Sequence, residues 1–289
     1  MALHILCLTW NVERHDLKPL FLILKKITMA FPNNRFLIAA NTEFSAYRFS
    51  AARLPSMLFP NSIFQDENVF VPVSEEVKGL PRSDALAIAH FGHFKRHDLC
   101  SKLKKPLFVY SHNPEGMLED DMARVKGLCP DAIFVNHLLG NNEYERLDGP
   151  TIANVASHAK VGLCLSEEEG HMRASIQMLM CGLPIVTVPC IGGRERYYDD
   201  VISCEVEPTP EGVCQGVKEL VNRKLTPLEV RSRVLDKVQM DRKNCLQSLN
   251  KLLRNNFKKV APQLEFENFR GFEFIYLKES EVVSMLMES

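Results

Sequence analysis

A chain that grips nucleic acid mainly through its phosphates carries an excess of lysine and arginine. This one has none: 35 Lys and Arg stand against 36 Asp and Glu, a net charge of −1. Any anion site must therefore be local. The nine cysteines, at positions 7, 100, 129, 164, 181, 190, 204, 214 and 245, form no C-x-x-C pair. That spacing and the odd count read as buried thiols in a reducing compartment, not as a zinc site or a disulfide framework. The sequence has no N-x-S/T sequon, no H-E-x-x-H, no internal repeat and no low-complexity segment, and no bound metal is expected. Met1 to Trp10 carries no basic stretch and only a short, interrupted apolar run, so it reads as a first strand and not as a leader. Ala174 to Gly193 lacks charge over about the length of a membrane span, but Gly182, Pro184 and Pro189 break it. A helix followed by a strand in a buried α/β core explains the same apolarity. The expected location is cytoplasmic, with peripheral contact at the cytoplasmic face of a membrane left open.

The 289 residues suit about two domains, and 46% hydrophobic with 25% charged residues is ordinary for a globular chain. Short β-rich runs alternate with helical patterns almost throughout, which predicts an α/β fold with parallel sheets covered by helices. In the first part the pattern predicts strands at Ile5–Thr9, Arg35–Ala40 and Ser56–Phe59, and helices at Leu17–Ala30 and Phe44–Ala52. Polar Val73–Arg82, with Gly79 and Pro81, is the candidate boundary. A second series predicts strands at Ala85–Ala89, Leu107–Tyr110, Ala132–Val135, Val161–Leu165 and Ile185–Val188. Helices are expected at Asp98–Lys104, Glu119–Lys126, Thr151–His158 and Pro210–Asn222, the last carrying an apolar stripe of Val213, Val217, Leu220 and Val221. Thr226-Pro227-Leu228-Glu229 offers an N-cap, a proline at N1 and a capping-box acid, so a long helix to about Asn255 should follow. The tail 258–289, with Phe266, Phe269, Phe272, Phe274 and Tyr276, is expected to pack on the body.

The segment from Val161 to Val188 reads as one βαβ unit: a strand, an acidic loop Ser166-Glu167-Glu168-Glu169, a helix opened by Gly170, a stop at Gly182 and Pro184, then a strand. The loop leaves the carboxyl end of its strand beside unpaired helix N–H groups, which favours an anionic ligand there. Glu167 and Glu168 read as solvated groups complementing the helix dipole, and Glu169, followed by a glycine that permits close approach, as the one facing a ligand. On one helix Glu169 and Gln177 would lie about 12 Å apart and about 80° around, so one extended ligand such as a nucleotide-sugar could meet both. Gly192-Gly193 follows the next strand and is either a plain turn or a place where backbone amides approach phosphate.

These residues, with Ala174, Gln177 and Cys181-Gly182-Leu183-Pro184-Ile185-Val186, resemble the donor-binding motif of GT-B glycosyltransferases of family 4, the retaining group 1 type. The likeness is clear over roughly residues 85 to 222 and faint before. It implies two Rossmann-like lobes: a reduced N-terminal acceptor-side lobe over 1–80 and a nucleotide-sugar donor lobe over 81–257. The activity implied is transfer of a sugar from a nucleotide-diphosphate donor to a saccharide or lipid-linked acceptor, as in polysaccharide biosynthesis, without a metal. The family pattern is Glu, seven residues, Glu. Glu169 takes the first place, at the donor sugar, and Gln177 the second, at the ribose, where it departs from the usual carboxylate. Gly170 and His171 fall beside the sugar, and Gly192 and Gly193 beside the diphosphate. The loop Ala89–His97 resembles the family's diphosphate loop, with Lys95 matching its lysine, His90 standing where arginine is usual, and Arg96 a candidate to compensate. The alternative is an impaired relative that binds nucleotide-sugar or saccharide as a partner subunit. A sugar epimerase or a phosphorylase of the same fold is a further alternative.

Overall fold

The structure is a computed structural model, and it describes residues 3–7, 12–32, 35–111 and 118–256. The chain divides into two compact units, one formed by Met1–Phe64 with the chain from Met240, the other by Gln65–Gln239. The division at Phe64 precedes the Val73–Arg82 loop, and the second sheet begins beyond that loop, at Ala85. The tail 258–289 lies outside the described residues.

The first unit is a three-stranded parallel sheet, β1 (Leu3–Cys7), β2 (Arg35–Ala40) and β3 (Ser56–Leu58), in that order, with Ile5 opposite Leu37 and Ala39 opposite Met57. Helices α1 (Lys18–Ala30) and α2 (Glu43–Ala51) make the crossovers, and Leu17, Leu24, Ile38, Ala40, Phe49 and Leu54 form the core between them and the sheet. Thr42 caps α2 by accepting from the Ser45 N–H at 3.0 Å.

The second unit holds six parallel strands: β4 (Ala85–Ile88), β5 (Leu107–Val109), β6 (Ile133–Phe134), β7 (Val161–Cys164), β8 (Ile185–Thr187) and β9 (Ser203–Glu205). Their spatial order is β6-β5-β4-β7-β8-β9. This is the doubly wound order, in which the chain reverses direction across the sheet between its first and fourth strands and opens a crevice at their carboxyl ends. Here that switch point lies between β4 and β7. The helices of this unit are α3 (Leu118–Leu128), α4 (Val135–Leu139), α5 (Gly149–Ala156), α6 (Arg173–Met180) and α7 (Pro210–Asn222), and α8 (Pro227–Asn256) crosses the division at Met240.

Every residue of β7 is buried, and Gly162 sits there because a side chain would meet Ile185 Cδ1 at 2.6 Å and Met178 Sδ at 2.8 Å. The uncharged run from Ala174 resolves into α6, a turn at Gly182 with φ +87°, and β8. No helix among the described residues is long and apolar enough to cross a membrane. Thr226 and Glu229 form the capping box of α8: the Thr226 N–H donates to Glu229 Oε2 at 2.8 Å and the Glu229 N–H to Thr226 Oγ1 at 3.3 Å.

Three local expectations are corrected. The helix expected over Asp98–Lys104 is only a 3-10 turn at His97–Cys100, enclosed by left-handed residues at Arg96 (φ 50°) and Lys105 (φ 46°), the second held out of the helical region by Pro106. Strand β9 and helix α4 are additional: both are short, and β9 is an edge strand with Ser203 and Cys204 half-buried and Glu205 exposed. The helix expected to open at Gly170 starts three residues later, at Arg173.

Candidate active site

That late start shapes the site. The Glu169 N–H donates to Ile191 O at 2.9 Å and the Ile191 N–H to Glu167 O at 3.1 Å, a parallel bridge that holds the loop after β7 extended against the loop after β8. Glu169 and Gln177 therefore do not share one helix, and the spacing of about 12 Å and about 80° reckoned on that basis does not apply. The same loop is tied to the one after β4, where the Glu167 N–H donates to Phe94 O at 2.9 Å.

The three loops bring Lys95 and Glu169 together. Lys95 follows β4, Glu169 follows β7, and they face each other across the switch point, the Lys95 ammonium paired with Glu169 Oε1. Both side chains are buried, 9% and 8% exposed. Ser166 Oγ donates to the same Oε1, so Glu169 Oε2 has no partner among the described residues. The Lys95 ammonium also lies 5.0 Å from the centre of the Phe94 ring. Glu167 is exposed and Glu168 half-buried.

Arg96 stands in the left-handed conformation, its Nε donating to Leu165 O at 2.7 Å and Nη2 to Pro189 O at 3.3 Å, a strut across the ends of β7 and β8. Burial lowers its pKa, against the raising field of Glu167. His90 accepts the Gly92 N–H on Nδ1 at 3.1 Å, its ring edge-on to Phe94. Gly192 (φ 116°) and Gly193 (φ 64°) both take conformations that L side chains resist, so this turn after β8 needs glycine. Gly170 and His171 are buried, the His171 ring edge-on to Tyr197 with centres 5.8 Å apart. Gln177, half-buried on α6, donates from Nε2 to Gln65 Oε1 at 2.7 Å. His93 and His97 are four residues apart but do not converge, since His93 is exposed and His97 buried against Phe91 and Phe108. Among the described residues no cluster of His, Cys, Asp or Glu is placed to hold a metal ion.

Sequence reasoning missed three residues of this edge. Arg194, directly after the glycine pair, is 1% exposed and donates from Nη1 to Ser166 O at 2.9 Å and from Nη2 to Val188 O, binding the β7 and β8 loops together. Asn136 receives the Tyr110 N–H at 2.8 Å and donates to Glu145 O at 2.7 Å, finishing the carboxyl end of β5. Gln65 is the third. Their one sequence signal is a polar residue beside an apolar run. Cys164 ends β7 with no exposure, and burial pushes its thiol up to about 11.

No family model matches this chain, and no curated protein does. Solved structures do. Sucrose-phosphate synthase from Thermosynechococcus elongatus superposes with a TM-score of 0.60 at 15% identity, over 86% of this chain and 64% of that one. This chain thus spans less than two thirds of that synthase. Anabaena HepE, solved in complex with UDP-glucose, gives a TM-score of 0.62 at 12% identity, over 86% of this chain and 72% of that one. Trehalose-6-phosphate synthase from E. coli, bound with UDP-2-fluoro glucose, gives 0.52 at 10% identity, over 78% and 61%. With two parallel α/β sheets, the larger doubly wound, and with these neighbours, the chain has the GT-B glycosyltransferase fold.

Proposed function

We propose that this chain is a glycosyltransferase that moves a sugar from a nucleotide-diphosphate sugar to a hydroxyl of a saccharide or lipid-linked acceptor, with retention at the anomeric carbon. The observation that carries this reading is the buried Lys95–Glu169 pair astride the β4/β7 switch point, where a doubly wound sheet receives its ligand. The UDP and UDP-glucose complexes of HepE support a nucleotide-sugar as the donor class.

The leaving nucleoside diphosphate gathers negative charge as the glycosidic bond breaks. Lys95, with two ammonium protons left beyond the one directed at Glu169, is the cation placed to stabilise it, and burial makes that interaction stronger than in water. Glu169 is pinned through Oε1 and offers Oε2 to a sugar hydroxyl and to the positive charge that develops at the anomeric centre. Gly170 and His171 border the sugar, the Gly192-Gly193 turn and Arg96 border the diphosphate, and Gln177 accepts from the ribose. No residue is assigned as a nucleophile, and no step in this reading calls on a metal.

The test is product formation. Purified protein is offered a panel of nucleotide-sugars, and a donor is identified by the rise it causes in melting temperature, because a ligand of the folded state must stabilise it. With that donor and saccharide or lipid acceptors, a glycosylated product is expected, with free nucleotide released slowly by hydrolysis when the acceptor is withheld. Binding with no release of nucleotide under either condition overturns the transferase reading in favour of a binding subunit. Glu169→Gln should lower kcat by about 10²-fold while changing donor affinity little, since its contact strengthens as charge develops. Equal losses in both overturn that role. Lys95→Ala should weaken binding of UDP more than that of uridine, and equal losses move Lys95 off the phosphate.

A further inference from the structure

Gln177 occupies a place where an acceptor of hydrogen bonds is wanted, yet a primary amide is ambivalent: its nitrogen donates twice and its oxygen accepts, and the two ends exchange by rotation about χ3. A ribose diol facing a freely rotating amide meets either end. In this structure the rotation is stopped. The Gln177 nitrogen is committed to Gln65 Oε1 at 2.7 Å, and Gln65 is itself 7% exposed, so its amide is packed in place. The Gln177 oxygen has no hydrogen-bond partner among the described residues and is not a buried orphan. Long side chains on a helix lean toward its N-terminus, and the N-terminus of α6 is the end nearest the loop that carries Glu169.

We propose that Gln65 is a positioning residue that turns Gln177 into a one-way acceptor for the nucleotide's ribose hydroxyls, so that a neutral amide does the work of a carboxylate. This inference rests on the nucleotide-sugar reading above. It also accounts for the departure from the Glu, seven residues, Glu pattern: the second carboxylate is replaced by two amides, one orienting the other. An uncharged acceptor avoids placing a second anion near a diphosphate.

The experiment measures affinity for UDP and for 2′-deoxy-UDP by calorimetry in the full chain, in Gln65→Met and in Gln65→Glu. Wild type is expected to favour UDP by about fivefold or more, the worth of one hydrogen bond accepted from the missing hydroxyl. Gln65→Met frees the Gln177 amide, so it should lose most of that preference while holding its affinity for 2′-deoxy-UDP within about twofold. Gln65→Glu can only accept, so it keeps Gln177 donating and should preserve the preference. A preference unchanged in Gln65→Met overturns the proposal, as does an equal loss for both nucleotides, which marks a merely structural residue. Loss of preference in Gln65→Glu as large as in Gln65→Met reverses donor and acceptor and overturns it too. Failure of wild type to bind UDP or the diphosphate of any other nucleoside would instead remove the underlying reading, a result distinct from the other three.

Discussion

Cutting one half of the Lys95–Glu169 pair should cost far more than cutting both. The two side chains are 9% and 8% exposed, so neither charge is well solvated once its partner is gone. Among the described residues Glu169 would retain the Ser166 hydroxyl and Lys95 the Phe94 ring. Leaving a buried charge uncompensated costs about 3–5 kcal/mol, whereas replacing a buried pair by apolar groups of similar volume is often close to neutral. Lys95→Met and Glu169→Leu should therefore each destabilise the chain by about 3 kcal/mol. The double variant should cost about 1–2 kcal/mol, a coupling of about 4 kcal/mol. Urea unfolding followed by circular dichroism reads this directly: with a slope of about 3 kcal/mol/M, each single variant moves the midpoint down by about 1 M and the double recovers about one third to two thirds of that shift. Exposed ion pairs are worth at most about 1 kcal/mol and groups without mutual contact add within about 0.5 kcal/mol. Single effects under 1 kcal/mol that simply sum would thus show that the pair is solvated and refute the reasoning.

Gly182→Ala should lower stability by about 3 kcal/mol or more, because φ is +87° and the new Cβ would sit 2.4 Å from Pro227 Cβ and 2.6 Å from its Cα at the start of α8; a melting temperature within a degree or two of wild type refutes that contact. Burial pulls the His97 imidazole down to about 3, reinforced by Arg124, Lys95 and His90. The unfolded chain then binds the extra proton between about pH 6.5 and 3, so stability is held above pH 6.5 and falls by about 1.4 kcal/mol per pH unit below it. His97→Phe should remove about 2 kcal/mol of the difference between pH 7 and pH 5, and parallel pH profiles for the two proteins refute the assignment. Cys164 has no exposure and its thiol is pushed up to about 11 by burial, so iodoacetamide at pH 8 should label it about 10²-fold more slowly in the native protein than in urea; equal rates refute its burial.

The α/β alternation was legible because each sheet strand is a short apolar run set off by polar turns. Strand β2 and helix α7 fall on the residues expected, Arg35–Ala40 and Pro210–Asn222. What failed was decided by partners distant in sequence. The start of α6 depends on Ile191, which draws Glu168 into a bridge that no local pattern announces. The burial of Arg194 depends on carbonyls of Ser166 and Val188. Strand β9 is the exception: Ile202 to Glu207 alternates apolar and polar, a local signal that sequence reasoning passed over. The placement of Lys95 and Glu169 in loops after strands was legible for each singly. Their pairing across 74 residues was not, because it follows from the order in which the strands assemble.

Helix α8 passes from one compact unit into the other at Met240, and beyond that point Arg242 donates to Ile63 O at 2.8 Å while Cys245 reaches Leu58 O at 3.6 Å. The unit spanning Gln65–Gln239 is continuous in sequence; the other is assembled from pieces on either side of it. During synthesis from the N-terminus the three-stranded sheet thus emerges before the second unit but stays without its later segment until residue 245 has also emerged, whereas the Gln65–Gln239 unit can close as soon as its own residues have left the ribosome. The order of maturation inverts the order of birth, because the second unit has its last residue at Gln239 while the first still waits for the segment that begins at Met240.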